Sequence, residues 1–195
     1  TAAGCEALKT RGLIEGLQHY GIDAALGGAR REEEKSRAKE RFFSVRSPQG
    51  GWDPRKQRLE IGIAFNSRLT KGDSMRVFPL SNWTELDIWR YIKREKIEVS
   101  PLYFSTHRKG MESDGMFFEI HPSVEPSHSA VLVQQEVRYR TLGCMPCTGG
   151  ICSSADTIEK VIGELESLKA SERSTRLIDH DSEGSMEKKK RRGYF

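Results

Sequence analysis

Apolar residues fall into short groups along the chain, and their spacing alternates between helical and strand-like. From about residue 6 to residue 20, Ala7, Leu8, Ile14 and Leu17 recur near helical spacing, which predicts an amphipathic helix that Gly21 stops. Residues 22–26 follow as a short apolar strand ending on Gly27-Gly28. Helix, strand and glycine turn in that order is the rhythm of an α/β protein with a parallel sheet. A second strand runs into a helix over residues 76–92. There Thr84 stands at the cap position with Asp87 three residues on, and Ile88, Trp89, Tyr91 and Ile92 form the apolar side. Residues 116–120 and 130–133 alternate enough for a small β-hairpin region. Residues 156–168 read as a helix with Ile158, Val161, Ile162 and Leu165 on one face. The stretch 44–74 reads as loop-rich, with a strand or lid at 59–69.

Composition narrows the class. Hydrophobic residues make up 36% and charged residues 31%, the balance of a globular protein with a wet surface. No apolar run approaches the roughly 20 residues a membrane helix needs, and no signal peptide is visible, so no membrane partner is expected. The net charge of +4 is small, but the basic residues are clustered: Arg30-Arg31, the stretch 35–41, and Lys188 to Arg192. That layout suits small anions better than a nucleic-acid track, which shows a stronger bias and interleaved aromatics. Four cysteines, three of them close together, do not resemble a secreted disulfide framework, and a reducing cytoplasm is the expected compartment.

Candidate chemistry concentrates in residues 27–41, because ligands of parallel α/β sheets bind beyond the carboxyl ends of strands. Gly27 and Gly28 let the backbone turn and approach a ligand. Arg30, Arg31, Ser36 and Arg37 follow, and guanidinium forks match the oxygens of sulfate or phosphate. The competing reading is a charged helix, with Glu33 paired to Arg37 at i,i+4; Lys39, Glu40 and Arg41 read as such ordinary pairs. Arg138 and Arg140 share a face if 136–142 is a strand, either contacting an anion or facing solvent. Cys144 and Cys147 are spaced as C-x2-C, with Cys152 nearby. A fourth metal ligand has distant candidates in Cys5 and His128, and ordinary thiols without metal are expected. His107, His121, His128 and His180 are scattered and read as surface residues.

Three segments carry a family resemblance. GGARREEEKSRAKER at 27–41 resembles a signature of the small subunit of two-subunit sulfate adenylyltransferases, and the related phosphosulfate reductases have a looser form. The segment 76–92, RVFPLSNWTELDIWRYI, is similar in both families. The segment 173–195, RSTRLIDHDSEGSMEKKKRRGYF, resembles the adenylyltransferase carboxyl terminus. Reductases end instead on a reactive cysteine, whereas no cysteine follows Cys152 here, and thiol-based reduction needs that thiolate. Composition by itself describes 171–195 as a disordered basic tail, although Tyr194 and Phe195 argue that its end docks.

The resemblance implies an adenine nucleotide α-hydrolase-like (HUP-type) α/β fold, a parallel sheet flanked by helices. Residues 1–95 would be the carboxyl-terminal part of the nucleotide-binding domain, and 96–195 a family-specific region with a helix and basic tail. It also implies formation of adenosine 5′-phosphosulfate and pyrophosphate from ATP and sulfate, coupled to a larger GTPase subunit. ATP enters as substrate with Mg²⁺ bridging its phosphates, and no tightly bound cofactor is expected. The family's Ser-x-Gly-Lys-Asp-Ser phosphate loop is not found in the chain, which therefore reads as lacking the first strands and as inactive by itself. A phosphosulfate reductase-like enzyme and an inactive interaction module are the alternatives.

Overall fold

The structure, a computed structural model, describes residues 6–57, 69–113, 115–120, 131–144, 147–167, 188 and 190–193. The strand or lid expected at 59–69 falls almost wholly outside them. The chain divides into two compact units, Thr1–Trp83 with Ser182–Phe195 and Thr84–Asp181, whereas the sequence reading draws its line at 95/96.

In the first unit a π-helical stretch, Glu6–Arg11, continues into α1 (Gly12–His19). Three strands follow: β1 (Ala24–Leu26), β2 (Phe43–Arg46) and β3 (Ser74–Val77), in the order β1-β3-β2. β1 and β3 are parallel, with Ala24 opposite Met75, as the α/β rhythm predicts; β2 runs antiparallel to β3. β1 pairs with β3 alone among the described strands, and Leu26 is 77% exposed. Trp52, Met75 and Phe78 form the apolar interior. The inward face of β2 is polar, for Ser44 and Arg46 are its buried positions. A strand whose inward residues are serine and arginine has no hydropathy signature, which is why 43–46 reads from sequence as loop.

The second unit holds α2 (Glu85–Glu95), β4 (Thr106–Ser113), β5 (Met116–Glu119), β6 (Val131–Arg138), β7 (Ile151–Cys152) and α3 (Ile158–Ser167). α2 starts where the cap was expected. Thr84 Oγ1 accepts from Asp87 N at 3.0 Å, and Asp87 Oδ2 accepts from Thr84 N at 2.9 Å. The strands form an antiparallel sheet in the order β5-β4-β6-β7, larger than the expected hairpin because β4 joins it. Gly110 on β4 is needed there, since a Cβ would lie 2.3 Å from Cζ of the buried Phe117 ring. Trp89, Ala155, Val161 and Leu165 make the core between α2 and α3, with Tyr103 edge-on to Trp89 at 5.6 Å. Among the described residues no helix is long and apolar enough to cross a membrane.

Candidate oxyanion site

The loop after β1 keeps its tie to the sheet for one more residue, as Gly27 N donates to Val77 O at 2.8 Å. Neither Gly27 nor Gly28 takes a positive φ, so neither uses the left-handed conformation that favours glycine. What Gly28 offers is room, for a Cβ there would meet nothing within 4 Å. Arg30 and Arg37 are both buried, with Glu33 between them. Arg37 Nε lies 3.3 Å from Glu33 Oε2, Arg30 Nη1 lies 3.6 Å from Glu33 Oε1, and Arg30 N donates to the same Oε1 at 2.9 Å. The Glu33–Arg37 pair thus forms, but in the interior rather than on a solvated helix face. Arg31 ties neighbouring segments together: it donates to Glu40 O at 3.1 Å and Asn82 Oδ1 at 2.5 Å, and stacks 5.2 Å over Phe42. Ser36 lies on the 3-10 turn Lys35–Lys39, and its side chain is outside the described residues.

Glu40 departs furthest from expectation. It reads from sequence as one of a set of surface pairs, yet it is buried at the centre of a network. Its Oε1 accepts from Ser44 Oγ and from Arg46 Nη2, each at 2.8 Å, and its Oε2 accepts from Lys190 Nζ at 2.5 Å. The period of two along β2 puts Ser44 and Arg46 on the face that meets it. Lys190 comes from the basic run that composition describes as a solvated tail, and it is 0% exposed. Its ammonium lies 5.0 Å from the Trp52 ring centre, and Trp52 N donates to Lys190 O at 3.2 Å.

The electrostatics are one-sided. Burial would raise the Glu40 carboxyl, but Arg46 and Lys190 outweigh it and hold the group below the usual carboxylate value. Burial lowers the Arg46 guanidinium to about 10; Glu40 opposes the shift, while Arg76 and Arg37 add to it. Burial likewise lowers Lys190 against the pull of Glu40, with Arg37 and Arg46 contributing, and burial lowers Arg76. Among the described residues of this unit the buried cations are Arg30, Arg37, Arg46, Arg76 and Lys190, and the buried carboxylates are Glu33 and Glu40. Arg37 Nη1, Arg46 Nε and Nη1, and Trp52 Nε1 are buried without a hydrogen-bond partner among the described residues. All four are N–H donors. The complement of such donors is an acceptor-rich anion, such as a tetrahedral oxyanion. The same donor set does not fit a resident divalent cation, because both carboxylates are engaged by arginine or lysine.

In the second unit Arg138 and Arg140 are both buried, which corrects the solvent-facing alternative. Arg138 Nη2 reaches Glu164 Oε1 at 2.5 Å and Arg140 Nη2 reaches Glu85 Oε2 at 2.5 Å, so each has a carboxylate of its own. β6 ends at Arg138, leaving Arg140 beyond the strand. Cys144 and Cys147 are half-buried, with Cys147 N donating to Cys144 O at 3.0 Å, while Cys152 is exposed on β7. Among the described residues no group of three or more His, Cys, Asp or Glu could hold a metal; Cys5 and His128 lie outside them.

Sequence reasoning selected Arg30 and Arg37 and missed Glu40, Arg46, Trp52 and Lys190. A basic residue two positions from a serine in a β-branched context was a weak signal for Arg46. Nothing local could have joined Lys190 to Glu40, which is 150 residues away in sequence.

The family model described as "Phosphoadenosine phosphosulfate reductase domain" matches residues 2–150. A protein of Marinomonas sp. (strain MWYL1) named "Sulfate adenylyltransferase subunit 2" is 53% identical over 97% of this chain and 63% of its own length. Proteins of the same name from Rhizobium meliloti (strain 1021) and Myxococcus xanthus (strain DK1622) are 52% and 54% identical, over 96% and 97% of this chain and 63% and 62% of their own lengths. The chain therefore spans a little under two thirds of the length of these relatives.

Proposed function

This chain belongs to the phosphoadenosine phosphosulfate reductase domain family, with relatives named sulfate adenylyltransferase subunit 2, and from that premise we propose that it binds sulfate for adenylyl transfer from ATP. The products are adenosine 5′-phosphosulfate and pyrophosphate, and the partner is a larger GTPase subunit that drives the reaction. The observation that carries the reading is the set of buried N–H donors on Arg37, Arg46 and Trp52 that have no hydrogen-bond partner among the described residues.

Sulfate is a poor nucleophile, and its attack on the α-phosphorus requires alignment opposite the departing pyrophosphate. Positioning and charge neutralisation therefore carry more of the barrier than proton transfer does, and no general base is assigned. In this reading Arg37 and Arg46 hold the anion, Trp52 Nε1 adds a neutral donor, and Arg30 supplies charge through its shared partner Glu33. Gly28, exposed and with open space where a Cβ would stand, leaves the loop approachable there. Mg²⁺, when present, comes with the ATP phosphates as part of the substrate.

The test is sulfate-dependent pyrophosphate release from ATP, with the GTPase subunit and GTP, by an enzyme in which these residues stand in a subunit that also carries the Ser-x-Gly-Lys-Asp-Ser loop. Trp52→Phe keeps the ring and removes the donor, and should raise the KM for sulfate several-fold. Arg37→Ala should raise it by one to two decades, the equivalent of ~1.5–3 kcal/mol for a charge-assisted contact. Unchanged sulfate KM in both variants would remove the site, and no sulfate-dependent release by the wild type would remove the function.

A further inference from the structure

Of the basic run near the carboxyl terminus, Lys188, Arg191 and Arg192 are exposed, and Lys190 is buried. Its seat is built from backbone at close range. A Cβ on Gly51 would lie 2.6 Å from Arg191 O, and one on Gly193 would lie 2.8 Å from Ile14 Cδ1. Gly193 also takes a φ of +98, which favours glycine. Lys190 O accepts from Trp52 N at 3.2 Å and from Gly193 N at 3.0 Å, so its carbonyl is held from both sides. The side chain then runs past the Trp52 ring to Glu40.

The two oxygens of Glu40 are divided between partners. Oε1 serves Ser44 and Arg46, and Oε2 serves Lys190. Without the ammonium, Oε2 would be a buried anionic acceptor beside Arg46, and Arg37 lies within electrostatic range of Arg46 and of the place the ammonium holds. The unmatched N–H groups of those arginines would turn toward it, because a buried carboxylate attracts any donor that can reach. Those groups are the ones the oxyanion needs.

We infer that Lys190 is a positioning residue of the oxyanion site: it neutralises Glu40 and so leaves Arg37 and Arg46 directed at a bound sulfate-class anion. The inference rests on the reading of that cluster as the sulfate site. It makes the carboxyl-terminal segment part of the binding machinery without giving Lys190 a contact to substrate.

The experiment uses the full chain labelled with 5-fluorotryptophan, the Trp52 resonance assigned through Trp52→Phe, and titration with sodium sulfate against sodium chloride at constant ionic strength. In the wild type the Trp52 resonance should move and saturate with sulfate. Lys190→Ala should weaken the apparent Kd about tenfold, and Lys190→Arg should recover most of it. Adding Glu40→Gln to Lys190→Ala should also restore binding, because the carboxylate that captures the arginines is then gone. Lys188→Ala should change nothing. An unaltered Kd in folded Lys190→Ala overturns the inference. If that variant does not fold, the double variant decides: binding supports the inference, and a folded double variant that fails to bind overturns it. The function fails separately, if sulfate binds as expected but the enzyme whose subunit carries the Ser-x-Gly-Lys-Asp-Ser loop releases no sulfate-dependent pyrophosphate.

Discussion

At the scale of single residues the interior of the first unit is organised by charge. Glu40 collects Ser44, Arg46 and Lys190, and its carboxyl is held low by the two cations despite burial. A carboxyl of this kind binds its proton more weakly in the folded than in the unfolded chain. Its stabilisation is therefore complete above the ordinary value of 4.5 and is lost as pH falls through the depressed one. Asp53, Asp87, Asp156 and Glu159 are also lowered and contribute in the same direction. The Glu40 share is isolated by difference. Urea midpoints measured from pH 7 down to about pH 3 should fall below about pH 4.5 for the wild type, and Glu40→Gln should show a shallower decline from a lower plateau. In the second unit the buried Arg140–Glu85 pair is the corresponding case. Glu85→Gln leaves a buried guanidinium without its counter-charge and should cost about 3–5 kcal/mol in denaturant unfolding.

At the scale of elements, legibility follows from whether the inward residues are apolar. α2 and α3 carry apolar stripes, α2 adds reciprocal capping, and both appear near the residues that pattern selects. Thr84→Ala removes one half of the capping box and should cost about 1 kcal/mol, seen as faster amide exchange in the first turn of α2. β2, β4 and the two-residue β7 are strands the pattern does not reveal. β2 turns serine and arginine inward, and β4 reads Thr-His-Arg-Lys-Gly-Met-Glu-Ser, with few apolar positions to alternate. β4 is held by pairing with β5 and β6 and by the close pass of Phe117 over Gly110. Gly110→Ala should therefore destabilise by about 1–3 kcal/mol through overpacking, with a lower thermal midpoint as the readout.

At the scale of the whole molecule the net charge is a modest +4, while among the described buried residues of the first unit cations outnumber carboxylates. An anion that binds this cluster in the folded state stabilises the chain by mass action, by about 2.7 kcal/mol at a hundredfold excess over Kd. Sulfate should therefore raise the thermal midpoint more than chloride at equal ionic strength. Arg37→Ala with Trp52→Phe should reduce the difference to the general salt effect. An equal response of wild type and double variant would show that the cluster binds no anion.

The sequence by itself determined what depends on neighbours in the chain. It specified the first helix, the β1 position, the capped helix after Thr84 and the α3 stripe, because each is written in spacings of one turn or one pleat. It also marked Arg30 and Arg37 as unusual, since two guanidiniums beyond a strand end are visible locally. Tertiary structure decided which charges are interior and what they meet. Glu40 and Lys190 look like ordinary solvated residues until the chain brings them to 2.5 Å, and Trp52 looks like any core aromatic until Lys190 lies over its ring. The physical reason is that a buried charge is tolerated only through its partners, and those partners are chosen by the fold rather than by adjacency along the chain.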